Sequence, residues 1–145
     1  DKSANQKIIA RIDALTPEHK AQWGKMQVGQ MLAHCQQPLK VAAGELKLKR
    51  GLIGILFGKM ARKKMASNDH PFDKSLPTDP HFIIKDDRNF ETEKQNLKNH
   101  VQRMAEQGPA ILSTQPHPFF GPLTEKEWDI LQMKHLDHHL RQFGV

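Results

Sequence analysis

Apolar residues return at helical intervals in five stretches of this chain. In 5–15, NQKIIARIDAL, Ile8, Ile9, Ile12 and Leu15 follow the i, i+3/i+4, i+7 spacing of an amphipathic helix, which Thr16-Pro17 ends. From Gly24 to about Gly44 a second helix is expected, with Val28, Met31, Leu32, Cys35, Leu39 and Ala42 on one arc of the helical wheel. Pro38 lies inside it and denies the His34 carbonyl its N–H partner, so a kink is expected beside that histidine. Residues 50–65 carry a stripe of Leu52, Ile53, Leu56, Phe57 and Met60, which predicts a short extra helix weakened by Gly51, Gly54 and Gly58. A helix over 90–107 places Leu97, Val101 and Met104 together before the Gly108-Pro109 stop. The last helix, 124–143, opens on Thr124-Glu-Lys-Glu127, a capping box in which Thr124 serves free N–H groups and Glu127 reaches back.

Between these stretches the chain is built from turn residues. Residues 66–88 contain Pro71, Pro77 and Pro80 among Asn, Asp and Ser, a long irregular connection of the sort that folds over a site. QPHPFFGPL at 115–123 is a second turn-rich stretch, and HFIIK at 81–85 is the one brief strand-like run. The pattern predicts an all-α fold, four main helices around one core, forming a single domain over 1–145.

Composition narrows the function classes. Hydrophobic residues are 37% and charged residues 26% of the chain, with mean hydropathy −0.66, as in a soluble globular protein. No apolar run approaches the ~20 residues that cross a bilayer, and the start, DKSANQK, has no signal-like apolar stretch. A cytoplasmic location is the expectation, although a leader removed before Asp1 would leave no trace. The lone Cys35 provides neither an internal disulfide nor a cysteine zinc site, so a metal would rest on histidine or carboxylate. A net charge of +6 suits an anionic partner or substrate. Nine histidines against no tyrosine make imidazole the side chain to follow.

KHLDHHLRQF sets His135 and His139 four residues apart, one turn from each other on one helix face, where two imidazoles can share a metal ion. Trp128, Leu131 and Gln142 lie within roughly 40° of His135 on the wheel, so this face turns at least partly to the core, with His138 at its edge and Asp137 pointing away. A third ligand must come from another helix, and His34, on the rim of the second helix's apolar arc, is the natural candidate. Paired histidines are also frequent as plain surface or hydrogen-bonded features. His19, His70, His81 and His100 stand in polar contexts and are expected on the solvated surface. His117, between two prolines and before Phe119-Phe120-Gly121, either lines a substrate pocket or caps the helices. Cys35 lies about 100° round the helix from His34 and is expected to be a small buried hydrophobe rather than a nucleophile.

GKMQVGQMLAHC at 24–35, HPFFGPLTEKEW at 117–128 and KHLDHHLRQFG at 134–144 together resemble the DinB-like (YfiT-like) superfamily of metal-dependent proteins, in a branch without known activity. The resemblance runs from the second helix to the C-terminus. It implies an up-down-down-up four-helix bundle and a zinc or nickel ion on His34, His135 and His139. It also implies, from relatives of known activity, a thiol-dependent transferase or isomerase using a low-molecular-weight thiol, and a homodimer. A three-imidazole site leaves a divalent cation its full charge, so a bound water or thiol is acidified, as transferase or hydrolase chemistry requires. Arg50, Lys59, Arg62, Lys63 and Lys64 could draw in an anionic small-molecule thiol.

Two rival readings come from the same residues. Segment 50–65, apolar with a basic end, could contact an acidic partner or a membrane surface, although three glycines and a short basic run give this little weight. Alternatively the chain is a metal-free structural or binding bundle whose histidines hydrogen-bond one another. With no recognisable helix-turn-helix and few aromatics to stack bases, nucleic acid is not expected as a partner, and the main reading expects no membrane either.

Overall fold

The computed structural model describes residues 2–67, 71–74 and 78–145. It contains helices α1 (Lys2–Ala14), α2 (Val28–Ala42), α3 (Leu52–Ser67), α4 (Phe90–Gln107) and α5 (Glu125–Gln142), with single 3-10 turns at Pro80–Phe82 and Gly108–Ile111. No strand occurs among the described residues. The fold is all-α, as the periodicity predicts.

α2 and α1 each pack against both α4 and α5, and the apolar arcs of the four meet in one core. Ile8, Ile12 and Leu15 of the first helical segment face Met31, Leu32, Cys35 and Leu39 of α2, with Leu97 and Val101 of α4 and Leu136, Leu140 and Phe143 from the end of the chain. Full burial of each such Leu or Ile contributes about 1.5–3 kcal/mol. A second cluster joins Val41 and Ala42 to Met65, Phe82, Trp128 and Leu131, and Met104 touches both clusters. α2 and α4 are also joined by polar groups in the interior: Gln36 Nε2 donates to Glu93 Oε2 at 2.7 Å. Near the start of α2, a Cβ on Gly29 would lie 2.7 Å from the Arg88 carbonyl, so only glycine permits this approach.

The predicted helix ends hold where cap chemistry marks them. Thr124 and Glu127 make the reciprocal capping box at the start of α5, and α4 stops at Gly108 with φ of 54°. Two expectations are corrected. α2 starts at Val28, four residues later than the wheel suggested, because Gly24 adopts φ of 80° in a turn closed by the Lys20 and Gln27 bridge. Residues 81–85 form no strand: Asp79 caps a 3-10 turn by accepting from the His81 N–H. As expected from the wheel, α2 continues through Pro38 to Ala42.

α3 is a full 16-residue helix despite its glycines. Gly54 and Gly58 face inward, where Cβ atoms would stand 2.9 Å from the Pro118 carbonyl oxygen and 2.0 Å from that of Phe119. The bare backbone is what lets the helix lie on residues 118–120. Arg62 clasps Glu127 with two hydrogen bonds of 2.7 and 2.9 Å, and Lys134 donates to the Met65 carbonyl, so α3 is held against α5.

Candidate metal centre

The three histidines chosen from the wheels come together between α2 and α5. His34 Nε2 lies 3.1 Å from His135 Nε2 and 3.0 Å from His139 Nε2. They are the only group of three potential metal ligands among the described residues. His34 and His139 are buried and His135 is half-buried.

The outer nitrogens decide what the inner ones can do. His34 Nδ1 is 2.8 Å from the Phe82 carbonyl, which can only accept, so the ring proton sits on Nδ1 and Nε2 presents its lone pair. His139 Nδ1 is 2.8 Å from Gln142 Oε1. The Gln142 amide is oriented by its own Nε2, which donates to the Trp23 carbonyl at 2.7 Å, so Oε1 is the acceptor and His139 Nε2 is likewise bare. Two lone pairs thus face each other at 3.0 Å with no proton between them, a repulsive arrangement in a buried site. A proton from His135 Nε2 could serve only part of this cluster, and His135 Nδ1 is itself buried without a partner. One turn earlier, Gln132 Oε1 is a buried acceptor without a donor, while its Nε2 donates to the Pro38 carbonyl.

Protonation does not relieve the cluster. Burial pushes all three imidazoles below their ordinary value: His139 to about 3, His135 well below, and His34 downward against the opposing pull of the Phe82 carbonyl. At neutral pH the three imidazoles are uncharged, and those of His34 and His139 direct their electron pairs into the space beside His135 Nε2. A tetrahedral ion with bonds of ~2.0–2.1 Å sets its nitrogens about 3.3 Å apart, close to the spacing found, so the donor set fits a divalent transition metal. The outer acceptors, a backbone carbonyl and a carboxamide oxygen, are the usual partners that orient metal-bound histidines. Imidazole alone does not choose among zinc, nickel, iron and copper.

The remaining predicted residues are placed as follows. His117 is buried beside Trp128 and Phe120, and its Nδ1 accepts from the Phe119 and Phe120 N–H groups, so only Nε2 remains for a ligand. Burial lowers it to about 4. His138 stacks edgewise on Trp23 and His139 and approaches Phe72. Asp137 turns away to Arg11 and Arg141. Cys35 is buried in the core and its thiol is pushed far up by desolvation, as expected of an inert side chain. His81 is exposed, whereas His100 is half-buried and lowered by burial, a correction to its surface assignment. His70 lies outside the described residues. Of the five cations assigned to substrate attraction, Arg62 is engaged by Glu127 and Arg50 donates to the Gly54 carbonyl. Two clefts, one between 41–50 and 113–118 and one between α1 and α5, are lined by none of the three histidines.

The wheels missed the outer acceptors. Phe82 contributes a backbone carbonyl, which any residue would provide, and Gln142 was visible only as a neighbour on the histidine face. No curated protein and no solved structure matches the chain. A family model described as "protein of unknown function" (DUF1569) matches residues 2–144, and the chain, with its three-histidine group that could bind a metal, belongs to that family.

Proposed function

We propose that this chain is a divalent-metal-dependent enzyme, a DinB-like up-down-down-up bundle of α1, α2, α4 and α5 that carries out thiol-dependent transfer or hydrolysis at His34, His135 and His139. The observation that carries this reading is the pair of fixed tautomers: Phe82 and Gln142 hold the Nδ1 protons outward, so bare Nε2 atoms converge in the interior. Three protein ligands with a further position open is the arrangement of catalytic sites rather than of closed structural ones. A zinc or nickel ion bound there supplies a Lewis acid that favours the ionised form of a water or of a low-molecular-weight thiol. His34 and His139 serve as oriented, neutral donors, held by the Phe82 carbonyl and Gln142 Oε1. His117 Nε2 is assigned to substrate binding.

The test is turnover. Protein stripped with a chelator and reloaded with zinc or nickel is incubated with glutathione or a cysteine-derived thiol and a chloronitroaromatic electrophile, or with an activated ester for hydrolysis. Product formation above the stripped protein, absent in His34→Ala, is the expected result. Stoichiometric metal binding without turnover on either substrate class would overturn the enzymatic reading and leave a metal-binding bundle.

A further inference from the structure

The largest unexplained feature lies outside the histidine centre. Leu52, Ile53, Ile55, Leu56, Phe57 and Met60, all on α3, are 51–71% exposed. With Gly54, Gly58 and Met65 turned inward, these six side chains cover nearly the whole outward arc of the first two and a half turns. An apolar face of this size on a soluble domain marks an interaction surface.

Its surroundings identify the partner. Between Leu46 and Ser67 there are seven cations, Lys47, Lys49, Arg50, Lys59, Arg62, Lys63 and Lys64, and no acidic residue. Of 22 basic residues these seven leave 15 against 16 acidic ones, so the whole positive excess of the chain belongs to this segment. The cations bracket the apolar turns at both ends, and Lys59 and Lys63 are exposed. A two-fold pairing of this helix with a second copy would set cation against cation. A protein groove reads a narrow stripe of about 100° on a helix, whereas this arc is broader and carries the long basic side chains of Lys59 and Lys63 on the same outward side toward its C-terminal end. A cleft of about 230 Å³ beside the N-terminal end of the helix has mixed walls, Lys47 and Arg50 together with apolar Val41, Leu46 and Leu48.

We propose that α3 is a peripheral membrane-docking helix, which sinks its apolar arc into an anionic phospholipid surface while Lys47, Lys49, Arg50, Lys59 and Lys63 meet the headgroup phosphates. No helix among the described residues is long and apolar enough to cross a membrane, so docking is interfacial. Of the three glycines that counted against this segment in the sequence, Gly54 and Gly58 are the ones that seat it and Gly51 precedes the helix, so the outward face is free of them. The proposal departs from the expectation that the chain has no membrane partner.

The experiment is co-sedimentation of the full chain with vesicles of phosphatidylcholine alone and of phosphatidylcholine mixed equally with phosphatidylglycerol. Association with the anionic vesicles is expected to exceed that with neutral ones by roughly tenfold or more and to weaken severalfold in about 0.5 M salt. Leu56→Ser with Phe57→Ser, both exposed, should lower it about tenfold or more while leaving melting temperature and metal content unchanged. Lys59→Glu with Lys63→Glu should remove the anionic preference. No association with anionic vesicles, or association that the Leu56 and Phe57 changes leave intact, would overturn the proposal. So would a wild-type dimer that the same double change renders monomeric, which would identify a second copy as the occupant.

Discussion

The histidine centre and α3 are opposite departures from the rule of apolar inside and polar outside. Between α2 and α5 three imidazoles are drawn into the interior, and for two of them a specific acceptor fixes the outer nitrogen. On α3 six large apolar side chains are held out in solvent by a helix seated on two glycines. The first arrangement costs desolvation that a ligand for the lone pairs would offset; the second leaves unburied area that a partner would cover. Together they teach that what breaks the burial rule is more informative about function than what obeys it.

The largest effect expected on this comparison comes from unseating α3. Gly58→Val places side-chain atoms where the Phe119 carbonyl stands, so the helix must lift from 118–120 at a cost of about 1–3 kcal/mol. Thermal melting should show the loss, and metal uptake by the purified variant should be retained, since the histidines sit on α2 and α5. Loss of metal in Gly58→Val would mean that the two regions are not separable.

At the centre, Gln142→Leu removes the acceptor of the His139 Nδ1 proton while keeping the volume of a buried side chain. Competition with a chromogenic chelator should show metal affinity lowered about 10–100-fold, the usual effect of losing such a partner. Unchanged affinity would show that the outer hydrogen bond does not fix the ligand.

The pH dependence separates His117 from the metal ligands. Its imidazole falls from an ordinary 6.5 to about 4 in the fold, so between those values the unfolded chain binds a proton that the folded chain does not. Stability therefore declines as pH falls through that window, by at most about 1.4 kcal/mol per pH unit for this group, and is insensitive to it above ~6.5. His117→Asn keeps an acceptor for the Phe119 and Phe120 N–H groups without a titrating ring. Denaturant melts from pH 7 to 4 should give a shallower acid slope for the variant.

The histidine centre is legible in the sequence because its signals are local: the i, i+4 step of His135 and His139 and the place of His34 on the α2 wheel. The α5 start was legible for the same reason, since a capping box is four residues long. What escaped depends on distant chain. The Phe82 carbonyl reaches His34 from a turn with no composition signal of its own. The delayed start of α2 depends on a left-handed Gly24, packed where a Cβ would meet Gln142 Nε2 at 2.9 Å. For α3, glycine read as helix weakness because propensity is a local quantity, whereas its effect here is close contact with residues 118–120. Periodicity likewise found the apolar stripe of α3 without telling which way it faces.

The metal content of the histidine centre is measured most directly by mass spectrometry of untagged protein purified without added nickel, alongside His34→Ala and His139→Ala. About one divalent transition-metal ion per chain in the wild type, lost in both variants, is the predicted result. Metal-free protein that takes up neither zinc nor nickel and gains no melting temperature on their addition would contradict it.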